Sequence, residues 1–274
     1  MGDSSKKILF VNSEMFPYLP ESRIANLCRE LPQAIQERKN EIRAFMPRYG
    51  LINERKNQLH EVIRLSGMNI IISDVDRPLV IKVASISAAR IQVYFIDNED
   101  YFRRKHIYRD DAGAFFPDNG ERAVFFARGV LETVKKLRWA PDVIHCSGWI
   151  SHVLPLYLKK AYNEDPIFTN AKVVLSLFED TPAEKFAEGF DKTILFGGVK
   201  PQDVKLSSAP DGTELAKLAA QYADGIIIGS PEVSPELVKH SGTLGVPVLG
   251  YSDDMYADGS YADKYNAFYD QILK

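Results

Sequence analysis

The chain has 274 residues, of which 34 are Lys or Arg and 37 are Asp or Glu, so its formal net charge is -3. This balance speaks against the basic patches that bind nucleic acid or an anionic membrane surface, and neither is expected as a partner. The hydrophobic fraction of 45% suits a globular domain with a sizeable core. Cys28 and Cys146 form no C-x-x-C pair, so no disulfide framework or zinc site is predicted, and two reduced thiols indicate a cytoplasmic protein.

The first element is a short apolar run at residues 8–11, which predicts a buried parallel strand. Ser22 is positioned as the N-cap of a helix, because the apolar residues that follow it have helical spacing. In an open α/β sheet, the loop between such a strand and helix lies at the carboxyl edge, where ligands bind. The polar residues of this loop are therefore candidate ligand contacts, namely Asn12, Ser13, Glu14, Ser22 and Arg23.

Strands and helices alternate along the rest of the chain. Further strands are predicted at 41–47, 80–86, 91–96, 141–146, 172–177, 225–229 and 246–250, with 80–86 and 91–96 forming a hairpin. Helices are predicted at 119–137, from Trp149 through Leu158, and at 214–223, 231–240 and 261–273. This pattern predicts an α/β fold with a single Rossmann-like, doubly wound and mainly parallel sheet, and one domain over residues 1–274.

Seven short segments are distinctive in their order and spacing: 7–14 (KILFVNSE), 31–34 (LPQA), 46–50 (MPRYG), 95–102 (FIDNEDYF), 117–126 (PDNGERAVFF), 139–145 (WAPDVIH) and 223–231 (ADGIIIGSP). Together they resemble the N-terminal domain of bacterial glycogen and starch synthases. Enzymes of this family transfer glucose from ADP-glucose to an α-1,4-glucan in a cleft between two Rossmann-like domains. The resemblance implies the N-terminal half of that fold, with residues 258–274 forming a C-terminal helix that packs back on it.

The first loop departs from the family pattern. The family has Lys-Thr-Gly-Gly-Leu there, whose glycines let the backbone approach the diphosphate of the nucleotide sugar and whose lysine supplies positive charge. The aligned residues here are 20–24 (PESRI). Pro20 removes a cation and a backbone donor, and Glu21 adds negative charge. Arg23 either replaces the charge of the lysine or obstructs the backbone approach.

Two later motifs also depart from the pattern. The family's His-x-His-Asp-Trp-His becomes 145–150 (HCSGWI), which keeps His145 and Trp149 but places Ile150 where a histidine faces the transferred sugar. Isoleucine can neither carry a proton nor form a hydrogen bond. The family's Thr-Ile-His-Asn becomes 176–179 (SLFE), which begins with Ser176. The family's second, donor-binding domain would begin about where this chain ends. No intact catalytic set, metal or cofactor is therefore predicted.

Some residues have both a binding and a structural interpretation. His145 either contacts a ligand in the remnant cleft or is a hydrogen-bonded structural histidine, and His152 either reaches the cleft or is incidental. Asp118 either contacts a glucan hydroxyl or caps the following helix. The acidic pairs 179–180 and 253–254 are interpreted as solvated loops rather than metal ligands.

Two functions remain open from the sequence. In the first, the protein is glycogen/starch synthase-like, inactive or impaired as a lone domain unless a second protein supplies the donor-binding domain. In the second, it is a non-catalytic binding or regulatory protein that recognises a glucan, a nucleotide or a protein partner. The candidate ligands are an α-glucan or an ADP-sugar, at a remnant cleft formed by Asn12, Ser13, Glu14, Ser22, Arg23, Asp118, His145, Trp149 and Ser176.

Overall fold

The computed structural model describes residues 5–274, so residues 1–4 of the predicted domain lie outside the described part. Its strands are β1 (Lys7–Asn12), β2 (Glu41–Pro47), β3 (His60–Glu61), β4 (Met68–Ile72), β5 (Val75–Ile86), β6 (Ile91–Asp97), β7 (Val143–Ser147), β8 (Lys172–Leu177), β9 (Gly225–Ile228) and β10 (Val248–Leu249). Its helices are α1 (Arg23–Glu37), α2 (Glu99–Phe102), α3 (Asn119–Leu137), α4 (Leu154–Lys160), α5 (Phe190–Thr193), α6 (Gly212–Gln221), α7 (Pro235–Gly242), α8 (Asp253–Ala257) and α9 (Tyr261–Ile272).

The strands form one mixed sheet in the order β10-β9-β8-β7-β1-β2-β6-β5-β3, with β4 paired to β5 off this path. All neighbours from β10 to β6 are parallel, and β5 is antiparallel to β6, β4 and β3. Strands β7 and β9 are buried along their whole length, as expected for parallel strands covered on both faces. The sequence prediction of a mainly parallel, doubly wound α/β sheet is confirmed.

The sheet reverses its winding between β1 and β7. From β1 the chain adds β2 on one side, and after β6 it returns to add β7, β8 and β9 on the other. The backbone N–H of Ser13 donates to the carbonyl of Ser147 at 2.8 Å, which keeps the two strand ends side by side. Ligands of open α/β sheets bind at the carboxyl edge of such a switch point. This is where a functional site is expected.

Helix α1 begins as its sequence predicts. Ser22 has extended backbone angles, and its hydroxyl oxygen accepts a hydrogen bond from the N–H of Ala25 at 2.9 Å, so it is an N-cap. Helix α3 occupies the predicted residues, but Asp118 at its N-cap position makes no capping hydrogen bond. Asp118 is therefore the N-cap by position, and its backbone carbonyl accepts from the N–H of Arg122 at 3.0 Å, but its side chain does not cap the helix.

Helix α9 packs back on the domain. Its buried residues are Ala262, Tyr265, Phe268, Tyr269 and Ile272. Gly225, at the start of β9, makes room for it, because a Cβ there would lie 2.9 Å from two ring carbons of Phe268. Within residues 5–274, no helix combines the length and the apolar character needed to cross a bilayer.

Two segments differ from the expectations. Asp253 and Asp254 are exposed, but they form the first turn of α8 rather than a loop. Acidic side chains are favourable at this end of a helix. Strand β5 begins at Val75 rather than at residue 80, because a two-residue turn at Ser73 and Asp74, both left-handed, joins it to β4.

Candidate functional site

The candidate site is the group of residues at the carboxyl ends of β1, β7 and β8, namely Asn12, Ser13, Glu14, Gly148 and Asp180, and it is called here the switch-point crevice. Gly148 follows β7 with φ of +88°, which favours glycine. A Cβ on Gly148 would lie 2.0 Å from Ser13 Oγ and 3.0 Å from Asp180 Oδ2. The absence of a side chain at Gly148 therefore lets Ser13 and Asp180 approach each other.

Asp180 is the most strongly perturbed acid of the crevice. Its Oδ2 accepts a hydrogen bond from the backbone N–H of Trp149 at 2.8 Å, whereas its Oδ1 is buried and has no partner among the described residues. Burial raises its pKa from 3.8 to about 7, and the nearby carboxyls of Glu14 and Glu179 add to the rise. Near neutral pH this carboxyl therefore exists in both protonation states. The interpretation of Asp180 as a solvated loop residue is wrong, although Glu179 is exposed.

Glu14 extends the acidic character of the crevice. Burial raises its pKa, the hydroxyl of Ser22 donates to its Oε2 at 2.9 Å and opposes the rise, and Glu179 adds to it. Within residues 5–274, no group of three or more His, Cys, Asp or Glu residues is arranged to hold a metal ion.

Unused hydrogen-bonding groups surround these acids. Both side-chain atoms of the Asn12 amide are buried without a partner in the described part of the chain, as are the hydroxyls of Ser13 and Thr181. Buried polar groups are usually paired, so an unpaired set at one strand edge indicates a missing partner such as water or a ligand. Amide, hydroxyl and carboxyl groups together can both donate to and accept from the hydroxyls of a ligand.

Arg23 is the first residue of α1, and acids and a tyrosine surround its guanidinium. Its Nε lies 3.7 Å from Glu179 and its Nη2 lies 3.4 Å from Glu232. Its Nη1 donates to the hydroxyl of Tyr251 at 3.1 Å. The positive charge of Arg23 is therefore shared between two carboxylates.

His145 and Ser176 lie together, but beneath α9. The Nδ1 of His145 is 2.7 Å from the hydroxyl of Tyr269, and its Nε2 is 2.6 Å from Ser176 Oγ. The imidazole is fully buried, and burial lowers its pKa from 6.5 to about 3. A neutral ring with both nitrogens engaged in the interior supports the structural interpretation of this histidine.

Trp149 contributes its backbone N–H rather than its ring. The ring is buried, and it packs against Tyr108, Phe115 and Phe186, with centroid separations of 4.7, 6.0 and 5.6 Å. The aromatic loop of residues 101–116 therefore covers Trp149 by packing.

A known protein family matches most of this chain. The sequence model of the family described as "Starch synthase catalytic domain" matches residues 7–248. The chain belongs to this starch synthase family.

Curated relatives in the starch synthase family are glycogen synthases. Those of Chlorobium limicola and Pelodictyon phaeoclathratiforme are 33% and 31% identical over the whole of this chain, which covers 53% and 57% of their lengths. The glycogen synthase of Chlorobium luteolum is 38% identical over 65% of this chain and 36% of its own length. The chain thus spans about half the length of the curated relatives, or less.

A solved starch synthase structure shares the fold. The catalytic domain of starch synthase IV from Arabidopsis thaliana, bound to ADP and acarbose, matches 90% of this chain and 51% of its own chain with a TM-score of 0.68. The identity is 15%, so this likeness shows the fold alone.

Two positions of the starch synthase motifs lie apart from the crevice or inside the core. Asp118 is ion-paired with Arg104, whose Nη1 donates to its Oδ1 at 2.7 Å. In the described residues, no hydrogen bond links Asp118 to the crevice. Ile150 is fully buried. His152, two residues further, is also buried, with both ring nitrogens unpartnered in the described chain.

Sequence reasoning missed two crevice residues, Gly148 and Asp180, and the neighbouring Thr181. The available signal was their position just after two neighbouring parallel strands, β7 and β8, because carboxyl ends of parallel strands meet at one edge. The burial of Asp180 had no such signal, since Glu179 beside it is exposed.

Proposed function

We propose that this starch synthase-family domain recognises an α-glucan-type carbohydrate through hydroxyl contacts at the switch-point crevice. We further propose that the 274-residue chain transfers glucose from ADP-glucose weakly or not at all. The observation that carries both statements is the acidic character of the crevice, where Glu14 and Asp180 have raised pKa values and Glu14 accepts a hydrogen bond from Ser22, in the loop that is cationic and glycine-rich in the family pattern.

A diphosphate group fits this environment poorly. Phosphate sites use free backbone N–H groups and cations, and a departing diphosphate needs positive charge for its stabilisation. At this edge Arg23 is already shared by Glu179 and Glu232. An incoming diphosphate would therefore compete with two carboxylates for one guanidinium and would meet further acids beside it.

A neutral sugar fits the same groups well. The Asn12 amide, the Ser13 hydroxyl and Asp180 Oδ1 are unpaired, and together they offer donors and acceptors to sugar hydroxyls. Asp180 can either accept or donate near neutral pH, because burial raises its pKa to about 7. Uncharged ligand hydroxyls avoid the repulsion that an anion would meet.

Glucosyl transfer is the second candidate function. The glycogen synthases of Chlorobium limicola and Pelodictyon phaeoclathratiforme match the chain over its whole length, and the family resemblance implies transfer from ADP-glucose to a glucan. In this candidate, a further domain binds the donor, in the same polypeptide or in a second protein. The buried, doubly hydrogen-bonded His145 and the isoleucine at position 150 count against it.

Calorimetric titrations of the 274-residue chain with maltoheptaose and with ADP-glucose test the proposal. We expect saturable maltoheptaose binding and no measurable ADP-glucose binding. Incorporation of ADP-[14C]glucose into glycogen should stay at the level of a boiled control. ADP-glucose binding tighter than maltoheptaose binding, or turnover above the control, would contradict the proposal.

The variant Asp180→Asn locates the sugar site. Asparagine can keep its carbonyl toward the Trp149 N–H, which places a donating NH2 where the unpaired Oδ1 now lies. Maltoheptaose affinity should fall about tenfold at about pH 8, where Asp180 is mainly ionised, because a sugar hydroxyl loses its hydrogen bond to a charged acceptor. Asp254→Asn on α8 is the matched control, because it removes an exposed carboxylate elsewhere. If Asp180→Asn and Asp254→Asn bound maltoheptaose with equal affinity, the sugar would not bind at the crevice.

A further inference from the structure

A cavity of about 480 Å³ lies apart from the switch-point crevice, between the β4–β5 hairpin, helix α3 and the segment that follows α5. Its lining residues are Ile71, Ile72, Ser73, Asp74, Arg128, Lys192, Thr193, Leu195 and Phe196. It shares no residue with the crevice. Pockets for small organic ligands have volumes of about 300–1,000 Å³, so the space suits a small molecule.

Arg128 is the unusual residue of this cavity. Its side chain comes from the middle of α3 and is only 8% exposed. Its Nη1 donates to the carbonyl oxygen of Ile71, and its guanidinium carbon lies 3.6 Å from the centroid of the Phe196 ring. Its Nε is buried without a partner, and the described residues provide no carboxylate ion pair to it.

A comparison with Arg48 shows that Arg128 has no carboxylate partner among the described residues. The side chain of Arg48 has a similar exposure of 11%, but it forms ion pairs with both Glu54 and Asp97. Burying a guanidinium without a counter-ion is costly, and the ring of Phe196 offsets only part of that cost. Arg128 therefore lacks the carboxylate partners that balance the charge of Arg48.

A second cation borders the same space. Lys192 on α5 is exposed and forms no ion pair among the described residues. Asp74, at the turn of the β4–β5 hairpin, is the carboxylate that lines the cavity. Two cations against one acid leave the lining with an excess of one positive charge. The hydroxyl of Thr193 is engaged, because it donates to the carbonyl of Gly189 at 3.3 Å.

We propose that this cavity binds a small phosphomonoester. A guanidinium donates charge-assisted hydrogen bonds to phosphate oxygens, and an ammonium group adds a point charge to the same anion. The apolar side chains of Ile71, Leu195 and Phe196 would contact the organic body of the ligand. The phosphate completes the charge balance of Arg128, and the cavity volume accommodates the attached group.

Titration of the full chain with inorganic phosphate and with phenyl phosphate, at an ionic strength held constant with sodium chloride, tests this site. Both probes should bind saturably, and phenyl phosphate should bind more tightly because its ring reaches the apolar lining. Hydrogen exchange should slow at residues 71–74 and 192–196 when phenyl phosphate is bound. Absence of saturable binding, or protection only elsewhere, would overturn the proposal.

Lys192→Gln is the decisive variant, because an exposed lysine can be replaced without threatening the fold. Its affinity for phenyl phosphate should be about fivefold weaker, while Lys239→Gln on the exposed face of α7 should match the unmodified chain. Arg128→Gln should weaken binding by at least about tenfold. Equal affinities of the Lys192 and Lys239 variants would overturn the proposal, and so would malonate binding as tightly as phosphate.

Discussion

Asp180 shows how one buried residue couples the crevice to pH. Its folded-state pKa is raised to about 7, whereas the ordinary value of the unfolded chain is 3.8. Between these two values the folded state holds a proton that the unfolded state has released. The contribution of Asp180 to stability is therefore greatest at acidic pH and declines as pH rises to about 7. Glu14, whose pKa is also raised by burial, acts in the same direction.

Asp180→Asn should consequently stabilise the chain more at high pH than at low pH. Asparagine carries no charge to desolvate, so the gain in unfolding free energy over the unmodified chain should increase by about 1 kcal/mol or more between about pH 5 and about pH 8. Urea denaturation at several pH values measures this difference. Asp254→Asn should show no such pH trend, and a constant difference for Asp180→Asn would contradict the burial argument.

At the residue scale, the sequence predicted where residues lie along the strands better than it predicted what surrounds their side chains. The motif around His145 and Trp149 correctly located a strand end, but only the packing of Tyr269 and Tyr108 revealed that both rings are enclosed. Likewise, the adjacent acids at 179 and 180 are alike in sequence, and the Trp149 N–H distinguishes them. Such environments depend on contacts between residues distant in the chain.

At the scale of elements, the docking of α9 depends on a glycine in β9. A Cβ on Gly225 would press on Phe268 and Ile272, whereas a Cβ on Gly242, in α7, meets nothing within 4 Å. Gly225→Ala should destabilise the chain by about 1–3 kcal/mol through overpacking. Gly242→Ala should be neutral or stabilising by up to about 1 kcal/mol. Thermal and urea denaturation compare the two, and a similar effect of both would disprove the close-packing explanation.

The N-cap of α1 links that helix to the crevice. Ser22 accepts from the N–H of Ala25 and donates to Glu14, whereas Ser234, the N-cap of α7, accepts from the N–H of Leu237 at 3.3 Å. Ser22→Ala should cost about 1 kcal/mol for the cap and should raise the pKa of Glu14 further. Ser234→Ala is the comparison and should cost less. Urea denaturation measures both costs, and an equal or larger cost at Ser234 would contradict the double role of Ser22.

Long periodic or apolar segments made most elements predictable. Helix α3 and strand β2 lie at the residues that their patterns indicated, because α3 buries a wide apolar face and β2 ends at a proline. Strands β3 and β4 and helix α8 have two to five residues each, which is too short for a period to be recognised. Their positions follow from pairing with β5 and from the chain path before α9.

At the scale of the whole molecule, two buried histidines oppose the acids of the crevice. Burial lowers the pKa values of His145 and His152 from 6.5 to about 3. Between about pH 3 and about pH 6.5, these two histidines bind protons in the unfolded chain but not in the folded chain. Each histidine should therefore reduce stability as pH falls from about 6.5 toward about 3, by up to about 1.4 kcal/mol per pH unit.

His152→Leu should reduce this acid sensitivity. Both ring nitrogens of His152 are buried and unpartnered in the described chain, so an apolar side chain should be neutral or stabilising at neutral pH. The slope of unfolding free energy against pH, measured between about pH 4 and about pH 6, should change by up to about 1.4 kcal/mol per pH unit. His60→Gln, at an exposed histidine, should leave the slope unchanged. If the slope for His152→Leu equalled that of the unmodified chain, the inference that His152 takes up a proton only on unfolding would be wrong.

The folded architecture was more accessible from sequence than the site. Strand and helix order predicted the parallel sheet and the carboxyl edge at which Asn12 and Ser13 lie, whereas the switch point became evident only from the strand order of the structure. The crevice itself depends on the approach of Ser13 and Asp180, two residues that come from separate strand ends, to the backbone of Gly148. The buried, unpaired Arg128 had no sequence signal, because α3 presents it within an ordinary helical pattern.

The backbone at Gly148 also limits which residues the chain can accept at this position. By the resemblance to the family motif, this position corresponds to an aspartate. Here any side chain would meet Ser13 and Asp180 in a left-handed backbone conformation. An aspartate introduced at position 148 alone should therefore be harmful, unless Ser13 or Asp180 is replaced as well. The effects of substitutions at these three positions should consequently not be additive.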